Sequence, residues 1–300
     1  MIASVNHFYK KLNIVRKAVQ LFTLLFLFAI PILILFEVRF IMGNLYSISF
    51  GELDITDPSM VFQNILLARS FYVPLLISAI IPVLIALLFG RVFCSWACPY
   101  NTILEETERI YSKIFAKFLK KRKSRQTSKN PSPFVYWVVY LILMLSALIV
   151  GIPLFTFLSA PGIISSQIAA GIIGIGVGLE LIIVFAILLS EVISRKRFWC
   201  KYVCPVGASL SLFRTKKTMR IAYNEFNCDC TGSIDPCSNS CPYNLIPKGG
   251  FLYPYCTNCG LCIRTCEKTG RGALSFAFGN NQNSQLKIIQ NKEEQNKKVS

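Results

Sequence analysis

The chain has 300 residues, 53% of them apolar and only 16% charged, with 12 cysteines, one histidine (His7) and a formal net charge of +17. That charged fraction lies below the roughly 25% of soluble domains, which excludes a disordered protein and points to one membrane domain with a small annex. A single histidine excludes a bis-histidine haem, and membrane topology accounts for the positive charge better than a nucleic-acid partner does.

Three uncharged stretches stand out, at residues 18–36, 70–90 and 130–179. The first two are close to the ~20 residues that cross a bilayer as helix. Helix is required because bare backbone polar groups are costly in lipid. The third stretch is too long for one span. It breaks near Gly151-Ile152-Pro153 and again at Ala160-Pro161-Gly162, which predicts helices at about 134–152 and 167–193, four spans in all.

Basic residues orient these spans. Lys10, Lys11, Arg16 and Lys17 precede the first; residues 37–69 carry four acids and two bases; residues 91–133 carry ten bases and three acids, including the run Lys120, Lys121, Arg122, Lys123 and Arg125. Residues 153–166 carry no charge, and Arg195, Lys196, Arg197 and Lys201 follow the last span. Both termini are therefore expected in the cytoplasm, with two connections outside, and the excess charge also favours anionic headgroups. The first span is read as retained, because no convincing cleavage site follows it. Residues 101–119 read as an interfacial helix with a Thr102–Glu105 capping box. Its apolar stripe of Ile103, Leu104, Ile110, Tyr111, Ile114, Phe115 and Phe118 lies opposite Glu106, Arg109, Lys113 and Lys117.

Two segments repeat. Arg91-Val-Phe-Cys94-Ser-Trp-Ala-Cys98-Pro99 matches Arg197-Phe-Trp-Cys200-Lys-Tyr-Val-Cys204-Pro205, 106 residues later. Each follows an outside-to-inside span, so the membrane domain reads as two pseudo-repeated helix pairs about an axis along the membrane normal. Cysteines at i and i+4 share a helix face, and the symmetry would gather Cys94, Cys98, Cys200 and Cys204 at one point on the inner rim. Four thiols suit a [4Fe–4S] cluster or copper(I), or a dithiol–disulfide cycle. Arg91 and Arg197 either stabilise thiolate charge or anchor to phosphates.

The other eight cysteines lie between Cys228 and Cys266. Cys256-x2-Cys259-x2-Cys262-x3-Cys266 is the bacterial ferredoxin spacing. The earlier group is Cys228-x-Cys230-x6-Cys237-x3-Cys241-Pro242, with an insertion in its middle. Gly260 and Gly270 suit tight turns around a cluster. With these motifs, the chain resembles the NapH/MauN-type membrane ferredoxins over nearly its whole length. The resemblance implies an α-helical polytopic membrane protein of four transmembrane helices (residues 1–220), a C-terminal two-cluster ferredoxin-like α+β domain (221–279) and a polar tail (280–300). It implies one [4Fe–4S] cluster on Cys256, Cys259, Cys262 and Cys241, and a second on Cys228, Cys230, Cys237 and Cys266. The single residue between Cys228 and Cys230 departs from the family spacing, as does Glu267 where the family commonly has proline.

The resemblance further implies electron transfer from membrane quinol towards respiratory or periplasmic redox partners, in a prokaryotic cytoplasmic (inner) membrane. Glu180, expected near the middle of the fourth span, is the one ionisable residue well inside a span, and such residues are functional by default. It is read as handling quinone protons or binding the quinone headgroup, with a structural hydrogen bond to a neighbouring helix as the alternative. Gly171, Gly174, Gly176 and Gly178 precede it and are read as allowing close helix approach. Two other functions stay open: a copper reductase acting through Cys94, Cys98, Cys200 and Cys204, and a non-catalytic redox-sensing scaffold. The tail is expected to be disordered, and His7 to lie on the surface.

Overall fold

A computed structural model of the chain describes residues 2–37, 40–69, 71–114, 132–174, 176, 178–224, 228, 236–249, 252–269 and 272–279, with side chains from Leu12 onward except Thr269. His7, the basic run at 120–125, Cys230, Gly270 and the tail fall outside those described positions, and so do the expectations attached to them.

Helix α1 (Ile2–Leu35) leads into a three-stranded antiparallel meander, β1 (Ile41–Asn44), β2 (Ser47–Phe50) and β3 (Leu53–Thr56). Ile41 pairs with Phe50, and Ser47 with Thr56. Helix α2 (Pro58–Ala68) follows; Asp57 caps it by accepting from the Ser59 N–H, and Pro58 opens its first turn. Residues 37–69, expected as a plain connection, thus hold a sheet and a helix.

The second uncharged stretch forms two consecutive helices, α3 (Val73–Ser78) and α4 (Ile80–Phe89). The junction has a simple cause. Pro82 has no N–H to offer the carbonyl of Ser78, so the helical ladder is interrupted there.

After α5 (Val92–Trp96) and α6 (Pro99–Ile114), the second half opens with α7 (Pro133–Val150), capped by the Ser132 hydroxyl and ended by Gly151 at φ 68°. The chain then folds back. In α8 (Leu154–Leu158), Phe155 packs on Tyr140 of α7 with ring centroids 5.8 Å apart. Gln63 of α2 accepts from the Phe155 N–H at 2.7 Å. The turn between β1 and β2 reaches the same place: Tyr46 donates to the Thr156 carbonyl at 2.6 Å, and its ring lies so close to Gly162 that a Cβ there would overlap it.

The predicted helix at 167–193 is corrected to a hairpin of two helices, α9 (Ala160–Ile173) and α10 (Glu180–Ser194). Gly174 ends α9 in the left-handed region at φ 85°, and Gly176 follows at φ 93°. Such glycines break a helix rather than let it run on. They serve the turn, not the close helix approach expected of them. Glu180 is consequently the first residue of a helix, not the middle of one.

A π-helical turn (Trp199–Val203) and α11 (Pro205–Leu212) lead to a small α+β unit. It comprises β4 (Arg220–Tyr223), α12 (Pro236–Asn239), a 3-10 turn (Pro247–Gly249), α13 (Leu261–Thr269) and β5 (Leu274–Ala277). The strands β4 and β5 pair antiparallel, with Arg220 opposite Ala277 and Tyr223 opposite Leu274. The pseudo-repeat is visible in this layout. Helix α2, the α3–α4 rod, the first cysteine motif and α6 recur as α9, α10, the second motif and α11.

Two helical segments, Leu12–Leu35 and Pro133–Val150, are long and apolar enough to cross a membrane. Large apolar side chains on these and other helices face outward, including Phe22, Ile149 and Ile182, which are 68%, 82% and 64% exposed.

Candidate metal centres

Each Cys-x3-Cys-Pro motif closes by a backbone bond five residues long, Cys98 N–H to Phe93 O and Cys204 N–H to Trp199 O. This wide turn corrects the expectation of one shared helix face. Cys94 sits within α5, whereas Cys98 stands at the entry to α6, and Cys200 and Cys204 are related in the same way around α11. The Cys-Pro pair has a physical reason. Cys204 is the N-cap of α11, and Pro205 takes the first helical position, where a missing N–H costs nothing. The Gly207 N–H favours the thiolate of Cys204, and the Asn101 and Tyr100 N–H groups that of Cys98. Asn101 and Gly207 are equivalent positions in the repeat.

All four motif thiols line one small closed cavity, together with Tyr100, Ala160, Pro161 and Arg91. The two halves of the chain therefore do meet at their cysteines, as the repeat predicts. Burial pushes every one of these thiols above its ordinary value, Cys204 to about 12, and the neighbouring sulfurs push Cys98, Cys200 and Cys204 further. Four such groups become thiolates together only around a cation. Among the described residues no three ligands converge closely enough to hold a single metal ion. Thiols spread around a cavity suit an iron–sulfur cluster, in which each iron takes one thiolate.

The two arginines cross over. Arg91 is buried, and donates to the Cys200 carbonyl at 3.0 Å and to the Pro254 carbonyl at 3.1 Å. Arg197 is equally buried and donates to Asn101 Oδ1 and, at 2.9 Å, to Glu108 Oε2. Arg91 packs over Gly207, where a Cβ would overlap its guanidinium. Each arginine thus reaches the equivalent position of the opposite motif, Arg91 at Gly207 and Arg197 at Asn101. Neither is placed to anchor a lipid phosphate.

A residue the sequence reading passed over lies beside this cavity. Glu191 is fully buried; it accepts from Tyr100 Oη at 2.8 Å and from the Trp199 N–H at 2.7 Å. It ties α10 to both motifs. An acid in the last turn of an apolar helix was the available signal, masked by the nearby basic cluster.

The second cavity belongs to the α+β unit. Cys241, Cys256, Cys259 and Cys262 line it with Tyr243 and Leu245. These are the four cysteines the resemblance assigns to one cluster. Asn258 and Gly260 flank Cys259 at φ 51° and 73°, so the loop curls around the cavity. The sulfurs also find backbone N–H donors: Leu245 and Tyr243 for Cys241, Leu261 for Cys259, and Ile263 for Cys262. The donor set fits a [4Fe–4S] cluster.

The other assigned set is only partly brought together. Cys237 lies beside Cys266 and holds its thiol below the ordinary value, and Cys228 packs on the same core. Cys230 falls outside the described residues. Glu267 is half-buried beside Cys266.

The segments around the two cavities are bonded to one another. Ser95 donates to the Thr257 carbonyl at 2.8 Å, Asn258 donates to the Phe89 carbonyl at 2.8 Å, and Arg214 donates to the Cys256 carbonyl at 3.2 Å. Tyr243 lines the annex cavity with its ring 5.9 Å from the Arg197 guanidinium.

Glu180 lies away from both cavities. It opens α10, whose last turn carries Glu191, so some eleven residues or roughly 16 Å of helix separate the two acids. Its carboxylate accepts from Gln167 Nε2 at 3.0 Å, while Gln167 Oε1 accepts from the Gly178 N–H at 2.7 Å. The expected capping box at Thr102 and Glu105 is also corrected. Helix α6 begins at Pro99, and Thr102 donates to the Cys98 carbonyl. Glu105 turns instead towards α1, where Arg16 and Lys17 each bind it at 2.8 Å.

Comparison with known proteins agrees with this geometry. A family model described as a 4Fe-4S binding domain matches residues 72–124 and 177–220, the two segments that carry the Cys-x3-Cys-Pro motifs. The ferredoxin-type protein NapH of Escherichia coli (strain K12) is 25% identical over 248 residues, 78% of this chain and 79% of that protein. NapH of Haemophilus influenzae is 27% identical, covering 80% of this chain and 83% of its own length. The methylamine utilization ferredoxin-type protein MauN of Paracoccus denitrificans is 28% identical over 64% of this chain and 62% of its own. No solved structure matches the chain. The chain carries a 4Fe-4S binding domain and is a homologue of the ferredoxin-type proteins NapH and MauN.

Proposed function

We propose that this protein is a membrane-bound iron–sulfur electron-transfer protein, passing electrons between membrane quinol and a respiratory or periplasmic redox partner. One observation carries the reading. Four thiols from two halves of the chain surround one buried cavity, and Arg91 joins that cavity to the loop of a second four-cysteine site. Cys94, Cys98, Cys200 and Cys204 then hold one cluster, and Cys241, Cys256, Cys259 and Cys262 another. Cys228, Cys230, Cys237 and Cys266 are the ligands of a third. Quinol gives up two electrons and two protons, while a cluster takes one electron at a time, so adjoining clusters convert between the two. The exposed apolar belt on the helices supports a bilayer setting with both termini in the cytoplasm, as the basic residues imply.

The same thiols would serve a copper reductase. Two observations favour the cluster: the thiols ring a cavity rather than converge on a point, and the matched 4Fe-4S domain covers those very motifs.

Anaerobic purification with iron and copper counts, followed by EPR after quinol addition, tests the proposal. About twelve irons per chain are expected on the four-iron stoichiometry, falling by about four in Cys98→Ser, with clusters that quinol reduces. An iron-free protein, or clusters inert to both quinol and quinone, overturns it.

A further inference from the structure

Between α11 and the small α+β unit lies an open cleft of about 310 Å³, with Arg214, Lys216 and Arg220 on one wall and Leu252 and Tyr253 on the other. We infer that this cleft binds the anionic headgroup of a phospholipid. The inference rests on the bilayer setting proposed above.

Arg214 donates to the carbonyls of Cys256 and Met219, at 3.2 and 3.3 Å, and Arg220 to the carbonyl of Lys216. Among the described residues no carboxylate pairs with Arg214, Lys216 or Arg220. Three cations within seven residues, facing one cleft and repelling one another, call for an anion.

The depth of the cleft selects the kind of anion. Thr218 donates to the Leu87 carbonyl at 2.7 Å, and the Met219 N–H donates to Leu88 O at 2.9 Å, so the cationic wall is fastened to the last turn of α4. Directly beside it stand outward-facing apolar side chains: Leu84, Leu88, Phe89, Leu212 and Phe278. Phe89 and Phe278 meet edge to face at 6.2 Å. A cationic cleft above an apolar strip fits a phosphate group with acyl chains below it. Free phosphate would use the cations and leave the strip unused.

Native mass spectrometry of the delipidated, cluster-loaded protein tests this with three probes: phosphatidylglycerol, phosphatidylcholine and inorganic phosphate. One phosphatidylglycerol per chain is expected to bind in preference to phosphatidylcholine and to withstand millimolar phosphate. Its affinity should fall at least about tenfold in Lys216→Gln/Arg220→Gln, given the attraction each cation near an anionic surface supplies, and hold in Lys113→Gln, which removes an exposed cation elsewhere. Equal binding of the two lipids, displacement by phosphate, or an unchanged double variant overturns the assignment. Iron content and quinol-driven reduction are read on the same samples, so failure of electron transfer and failure of the lipid site are separate results.

Discussion

Gly207 has no room for a side chain because the guanidinium of Arg91 lies across it. Gly207→Ala must move Arg91, which holds the carbonyls of Cys200 and Pro254. Overpacking of this kind costs about 1–3 kcal/mol. The expected outcome is a lower melting temperature together with partial loss of the iron held between the motifs, while iron in the annex is retained. Within α6, burial alone would raise the pKa of Glu105, but Arg16 and Lys17 outweigh it and hold the carboxyl at about 2, below its ordinary 4.5. A depressed acid stabilises the fold at pH values above its unfolded pKa. The contact between α1 and α6 is therefore at full strength above pH 4.5 and is lost as pH falls towards 2. Melting temperature measured across that window should fall with pH, and the fall should flatten in Glu105→Gln.

Sequence patterns located the cysteines well and the helices less well. The repeat of Arg91 to Pro99 in Arg197 to Pro205 was legible because it copies residue types at fixed spacing, and the thiols do meet. What an apolar run cannot show is where it turns back. Residues 153–166 look like a connection because they are uncharged and contain proline, yet Ala160 and Pro161 line the thiol cavity. The same ambiguity misplaced Glu180. Composition reads residues 167–193 as one rod, whereas left-handed glycines split it and set Glu180 at a helix start, bonded to Gln167. If that bond chiefly fixes the turn, Gln167→Ala speeds hydrogen exchange of the amides from 176 to 180, and Glu180→Gln leaves quinol-linked cluster reduction unchanged. A loss of reduction in Glu180→Gln, with the fold intact, would instead assign it the proton role first read from sequence. The meander β1–β3 escaped notice because its strands are only four residues long, too short for alternation to show.

At the scale of the molecule, the basic residues predict which ends of the helices face the cytoplasm, and the fold supplies positions that test it. Gly176 lies in the turn between α9 and α10, and Ser112 is exposed near the end of α6. In intact cells, a membrane-impermeant thiol reagent should label Gly176→Cys and spare Ser112→Cys. Inverted vesicles should give the opposite result. The ferredoxin spacing of Cys256 to Cys266 made the annex legible in outline. Its close attachment to the first motif was not, because that bonding runs mostly through backbone carbonyls, whose partners no residue type announces.

The crossing of Arg91 and Arg197 has one more implication. Each repeat supplies two of the four sulfurs around the shared cavity, and each sends its arginine to acceptors in the other repeat. Neither half is a self-sufficient module. The two halves, produced as separate polypeptides, should hold the iron of the shared cavity only when made together.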